Sequence, residues 1–176
     1  MATYVAFLRA INLGANRKFP KAAIVAATEA AGFGDVETYI NTGNVRFGTA
    51  MRSRARIEAA LEQAYRESQG FEVPTILFTP AELRRVADDA DRLAADHAGR
   101  HYVSLLKDEP SAATARVLEE RSTEQERVHV EGRAVHLLVG QSYLGASTNN
   151  VAVERLLGVA TNRNVTVIRA LREKWC

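Results

Sequence analysis

A chain of 176 residues suits one domain of ordinary size or two small ones, and 47% hydrophobic with 25% charged residues is the balance of a soluble globular protein. Lys and Arg total 23 against 21 acids, so a net charge of +2 makes no electrostatic case for nucleic acid as a partner. Its apolar runs are short and no leader segment is visible, which reads as cytoplasmic and excludes a membrane span.

Residues 4–9 (YVAFLR) are apolar on both faces, the pattern of a central strand covered on both sides. Pro20 suits the first turn of a helix that runs through KAAIVAATEAA and stops at Gly32. Residues 36–40 and 45–47 are predicted as a hairpin around Thr42-Gly43. A two-residue loop sets Asn41 opposite Asn44, Ile40 opposite Val45 and Thr38 opposite Phe47, and a four-residue loop keeps the same facing. Val36, Thr38, Ile40, Val45 and Phe47 then share the core face, while Glu37, Tyr39, Asn41, Asn44 and Arg46 share the other. Residues 52–69 carry Ile57, Leu61, Ala64 and Tyr65 at helical spacing, and residues 73–79 form a fourth strand.

Thr79-Pro80-Ala81-Glu82 has the Thr, Pro and Glu of a capping box, opening a helix on Leu83, Val86, Ala87 and Ala90. The polar stretch 88–100 is predicted as a hinge or loop. The order then repeats: a strand at 102–107, a helix at 110–121, and a hairpin of 127–131 with 134–139. Gly132 at the first turn position suits a type II′ turn, placing Val128, Val130, Val135, Leu137 and Val139 on one face and His129 opposite His136. A short helix at 150–157 ends at Gly158, and Thr161 is read as the cap of a final helix carrying Val165, Ile168, Leu171, Arg172 and Trp175. For the last strand only residues 143–146 or 159–160 offer a short candidate. The fold class is α+β: two tandem ferredoxin-like (split β-α-β) units, the second modified, plus a C-terminal helix. The corresponding domains are 1–79, a linking helix and loop at 80–100, and 101–176.

Three polar stretches exceed what folding needs: RAINLGANRK, YINTGN and TNRN. The first leaves a strand and enters a helix, where unpaired N–H groups favour anions, and Arg9, Asn12, Asn16, Arg17 and Lys18 add donors. It lacks the second glycine and the Lys-Ser/Thr ending of a P-loop. The second stretch supplies Tyr39, Asn41 and Asn44, the third Arg163 and Asn164. The bland alternative is that the Asn side chains close turns and cap a helix. His129 and His136 lack a third ligand of suitable spacing, so no metal is expected, and no cofactor is implied. Ser104, Ser142 and Ser147 lie in no nucleophile elbow, and the lone Cys176 is a poor nucleophile, so no catalytic set emerges.

Taken together these stretches resemble the uncharacterised bacterial family called domain of unknown function 1697 over nearly the whole chain. That family's first strand enters an Arg-Gly-Ile-Asn-Val-Gly-Gly-like loop, which here reads YVAFLRAINLGANRK; TYINTGNVRF and ATNRNVTVIRAL resemble its hairpin and its end. Ala10 and Ala15 stand where the family has glycine, and Val165 where Trp is common. The resemblance implies the α+β, ferredoxin-like architecture and no reaction. The function expected is binding of a phosphate-bearing small molecule or nucleotide where the polar stretches meet between the halves, through Arg9, Asn12, Asn16, Lys18, Tyr39, Asn41, Asn44, Arg163 and Asn164. The alternatives are a nucleic-acid-binding module using Tyr39, Arg46 and the basic loop, and a structural or interaction protein whose motifs only join its halves.

Overall fold

The computed structural model describes residues 1–141 and 144–176. The chain divides into two compact units, one of Met1–Pro80 with Trp175 and one of Ala81–Lys174 with Cys176.

In the first unit the order is strand β1 (Ala2–Leu8), helix α1 (Lys21–Ala30), strands β2 (Gly34–Tyr39) and β3 (Asn44–Thr49), helix α2 (Arg54–Gln69) and strand β4 (Thr75–Phe78). The strands form an antiparallel sheet in the order β2-β3-β1-β4. Tyr4, Ala6, Leu8, Val45, Phe47 and Leu77 pack from one face with Ile24 and Ala27 of α1 and Ile57, Leu61 and Tyr65 of α2. Each large apolar side chain buried there stabilises by about 1.5–3 kcal/mol. The alternate residues Val5 and Phe7 are also fully buried, and Phe7 meets Phe78 edge-on at 5.8 Å. β1 is therefore buried on both faces, as its unbroken apolar run predicts. Ser53 caps α2 by accepting from the backbone N–H of Arg56, which starts that helix two residues later than periodicity suggests.

The β2–β3 hairpin corrects the expected register. Thr38 pairs with Val45, Tyr39 with Asn44 and Glu37 with Arg46. The loop is the four-residue turn 40–43, so the facing is kept but Ile40 leaves the strand and is exposed. Tyr39 and Arg46 lie on one face as diagonal neighbours rather than directly opposite. The cause lies in the turn. Buried Asn44 donates its side-chain amide to the Tyr39 carbonyl at 3.0 Å and to Thr42 Oγ1 at 2.9 Å. Ile40 and Gly43 take positive φ, and the Gly43 carbonyl accepts from the N–H of Leu8 at 2.8 Å. These bonds outweigh the pull of Ile40 toward the apolar face.

The second unit comprises helix α3 (Pro80–Ala94), strand β5 (Arg100–Leu106), helix α4 (Ala112–Glu119), strands β6 (Arg127–Glu131) and β7 (Ala134–Val139), helix α5 (Asn150–Leu157), strand β8 (Ala160–Asn164) and helix α6 (Val165–Trp175). Its sheet order is β6-β7-β5-β8, again antiparallel. Relative to their own elements, the two sheets have the same strand order, so the altered second half anticipated from sequence is not found in its topology. The core face joins Val128, Val135, Leu137 and Val139 to Leu118 of α4 and Val153 and Leu157 of α5. The β6–β7 register is the expected one, with His129 opposite His136 and Gly132 at positive φ.

Two expectations fail here for physical reasons. The polar stretch 88–100 is not all loop, because α3 runs to Ala94. Its acidic positions are matched by α6: Asp91 accepts from Arg169 Nε at 2.7 Å and from Arg172 at 2.8 Å, and Asp88 accepts from Arg172 at 3.0 Å. Thr161 does not cap the last helix. Residues 160–164 are the last strand, paired along β5 from Tyr102↔Asn164 to Leu106↔Ala160, and Asn164 is the cap, accepting from the N–H of Thr166 at 2.9 Å. Of the other strand candidate, 143–146, Leu144 and Gly145 form a turn; Ser142 and Tyr143 lie outside the described residues. No helix among the described residues is long and apolar enough to cross a membrane.

Candidate functional site

The loop after β1 folds around one side chain. Asn12, at φ +53°, accepts from the N–H of Phe19 at 2.8 Å through Oδ1. Its Nδ2 donates to the Phe19 carbonyl at 3.2 Å and to the Asn41 carbonyl at 2.7 Å. Asn12 thereby ties the start of α1 to the hairpin turn. Arg17 closes the same loop by donating Nε to the Ala10 carbonyl at 2.6 Å and stacking over Phe71 at 4.6 Å. That guanidinium is committed to folding rather than to a ligand.

An open depression of about 700 Å³ results, lined by Asn12, Gly14, Lys18, Pro20, Lys21, Ala22 and Asn41. Its floor is the N-terminus of α1. The cap position there is Pro20, which has no side-chain cap, and no acid sits in the first turn. The first intrahelical bond is Ile24 N–H to the Pro20 carbonyl at 3.0 Å, so the amides of Lys21, Ala22 and Ala23 precede the helical ladder. The positive end of the helix dipole and the ammonium groups of Lys18 and Lys21 make this depression favourable for an anion.

Asn12, Lys18 and Asn41, all proposed from sequence, therefore meet at one place. The other candidates divide differently. Asn16 is exposed on the loop, and the Arg9 N–H donates to the Pro74 carbonyl at 2.9 Å. Tyr39 is half-buried beside Asn44, whose amide holds the turn. Arg163 and Asn164 belong to β8 in the second unit. Arg163 is buried and donates to Thr161 Oγ1 at 2.9 Å and to the Asn162 carbonyl at 2.7 Å; burial lowers its pKa to about 10. Asn164 caps α6.

Sequence reasoning missed Lys21 and the bare amides behind it. The available signal was negative: a helix entered as Phe-Pro-Lys-Ala-Ala, with no Ser, Thr, Asp or Asn to cap it. Among the described residues no group of three or more His, Cys, Asp or Glu could hold a metal. Ser104 is buried, donating to Asn150 Oδ1 at 2.8 Å and accepting from Asn162 at 3.1 Å, so its partners are amides and not a general base. Ser147 Oγ donates to Glu126 at 2.6 Å, and Ser142 lies outside the described residues.

The chain belongs to the family described as protein of unknown function (DUF1697), whose sequence model matches residues 1–136. No functionally curated protein matches it. The solved structure of the conserved bacterial protein SP0830 from Streptococcus pneumoniae is similar, with a TM-score of 0.75 at 20% identity, covering 98% of this chain and 97% of that one. At that identity the likeness shows a shared fold.

Proposed function

We infer that the first unit binds a phosphate-bearing small molecule or nucleotide in the depression at the start of α1. One observation carries this reading: an uncapped helix N-terminus opens into a depression that also holds Lys18, Lys21, Asn12 and Asn41. A phosphate there accepts from the first-turn amides and sits between two ammonium groups. The reading does not draw on Arg163 or Asn164, which belong to β8 and the start of α6. It places the protein in the cytoplasm, where such ligands are abundant.

The same reading treats both units as split β-α-β ferredoxin-like units, supported by the strand orders β2-β3-β1-β4 and β6-β7-β5-β8. The domain limits 1–79, 80–100 and 101–176 go with it.

Titration of the ¹⁵N-labelled protein with inorganic phosphate, and separately with ADP, tests the site. The expected result is saturable shift of the Lys21, Ala22 and Ala23 amides. Lys18→Ala and Lys21→Ala should each weaken binding by about 2–5-fold, the worth of one exposed charge contact. Shifts spread over exposed basic residues, with these amides unmoved, would reject the site.

A further inference from the structure

All four histidines of the chain, His97, His101, His129 and His136, lie in the second unit. Two of them are buried together. His101 on β5 and His136 on β7 project from the sheet face opposite the Val135–Leu137–Val139 core, and His101 Nε2 lies 3.1 Å from His136 Nδ1. That contact holds one proton. The outer nitrogens, His101 Nδ1 and His136 Nε2, have no hydrogen-bond partner among the described residues. Whichever ring donates, the neutral pair buries one N–H and one lone pair unsatisfied, which marks a function-bearing or strained position.

Three guanidiniums, Arg92 of α3, Arg127 of β6 and Arg169 of α6, oppose a positive charge on the pair, as do His97 of the loop after α3 and His129 of β6 when they are themselves charged, while Asp91 of α3 favours one. Asp91 is already engaged by Arg169 and Arg172. Beside His129 stand Glu119 and Glu131, at 3.5 and 3.4 Å, and Arg127 and Arg92 are paired with Asp96 and Asp89. A proton added at the outer lone pair would place an imidazolium in a buried site where the nearest carboxylate is already paired, and a further one, charging both rings, would remove the acceptor of the bond between them.

We propose that His101 and His136 form an acid-labile latch, which holds the β5–β7–β6 face closed while both rings are neutral and releases it as they become charged. Burial, and then the neighbouring cations, lower His101 to about 4 and His136 to about 3. Both folded values lie below the ordinary histidine value of about 6.5, so opened chains bind more protons than closed ones once the pH falls below 6.5. Stability of the closed face is complete above that pH and falls as pH drops toward the folded values. With two coupled sites the closing equilibrium constant loses up to about a hundredfold per pH unit in this window. The first unit has no histidine and lacks this term.

Two measurements test the latch. In the wild-type protein, the ring C–H resonances of His101 and His136 should hold neutral shifts down to pH 5. Hydrogen exchange corrected for intrinsic rate should rise in β5, β6 and β7 as the pH falls below about 6.5, before it rises in β1 and β3. The apolar replacement His101→Phe/His136→Leu should move the acid midpoint of that opening down by at least one pH unit. Titration of both wild-type rings near pH 6.5 with protection retained overturns the proposal, as does a folded double variant with the wild-type acid midpoint. If the double variant does not fold, the wild-type titration and exchange decide.

Discussion

Glu58 Oε1 accepts the backbone N–H of Leu77 at 3.0 Å, although the carboxylate sits on a helix and the amide on the outer edge of a sheet. β4 is an edge strand, and one turn along α2 Glu62 accepts from the N–H of Thr75 at 2.9 Å. Two edge donors are thus covered by helix carboxylates. The second unit repeats the device: Glu154 of α5 accepts from Ala160 at 3.1 Å on edge strand β8, and Glu119 of α4 from Val130 at 2.8 Å on edge strand β6. A covered edge is a poor template for pairing with another chain. Glu58 is only 4% exposed, so removing its carboxylate leaves a buried amide without its partner. Glu58→Ala should cost about 1.5–3 kcal/mol in urea denaturation. Glu58→Ala/Glu62→Ala should also raise the tendency to aggregate, seen by light scattering. A loss under about 0.5 kcal/mol would mean that water replaces the carboxylate freely.

Ala10 and Gly43 give opposite expectations at positive φ. Ala10 has φ +57°, a conformation glycine adopts without strain. Ala10→Gly should stabilise by about 0.5–1 kcal/mol, a rise of about 1–4 °C in Tm for a chain of this size. At Gly43, φ +77°, an added Cβ would lie 2.6 Å from Leu8 Cβ and 2.9 Å from Ile11 Cδ1. Gly43→Ala should cost about 2–5 kcal/mol, strain and overpacking together. Thermal melts of the two variants check both signs, and an Ala10→Gly variant that melts lower would show that the loop draws no strain from Ala10.

Asn12→Asp tests the tie between the loop and the hairpin. The substitution keeps the acceptor for Phe19 N–H but turns the donor to the Asn41 and Phe19 carbonyls into a lone pair facing them. Stability should fall by about 1–3 kcal/mol, and the added charge should weaken phosphate binding more than either lysine variant does. An unchanged urea midpoint would show that the Asn12–Asn41 bond contributes nothing net.

These residues also show how far the sequence could be read. The β6–β7 hairpin was legible because alternating valines and Gly132 at the turn agree on one register. The β2–β3 register was not, because it is decided by the buried Asn44 amide inside the turn and by Gly43 against Leu8 and Ile11 of the first segment, neither of which the apolar alternation encodes. β8 was hidden because Ala-Thr-Asn-Arg-Asn has no apolar alternation. Asn162 bonds Ser104 across the pairing with β5, a contact 58 residues apart in sequence. At the candidate site, the polar stretches pointed to Asn12, Lys18 and Asn41, which line one depression, although the Asn12 side chain serves the bonds of its own loop. His101 was not, since its partner His136 lies 35 residues away.

The last prediction concerns alkaline pH. Thr28 and Tyr65 are fully buried between α1 and α2, their hydroxyl oxygens 2.9 Å apart. Thr28 Oγ1 already gives its one hydrogen to the Ile24 carbonyl at 2.7 Å, so Tyr65 must be the donor to Thr28. A hydroxyl partner eases ionisation only when it donates, and this one has no hydrogen left. Burial raises the Tyr65 pKa well above its ordinary value, and a bond that the phenol donates is one that the phenolate would lose. Below about pH 10 the phenol is protonated whether the chain is folded or not, and Tyr65 adds no pH dependence. Above it the unfolded chain loses the proton and the folded chain keeps it, so stability falls by about 1.4 kcal/mol per pH unit on account of this residue. Tyr65→Phe should therefore cost about 1 kcal/mol at pH 8, where it removes a buried hydrogen bond, and less at each step upward until the variant is the more stable near pH 11. Urea denaturation of both proteins from pH 8 to pH 11 measures the difference. A gap that stays constant over that range would mean that the folded phenol ionises as readily as the unfolded one, and that the donor assignment is wrong.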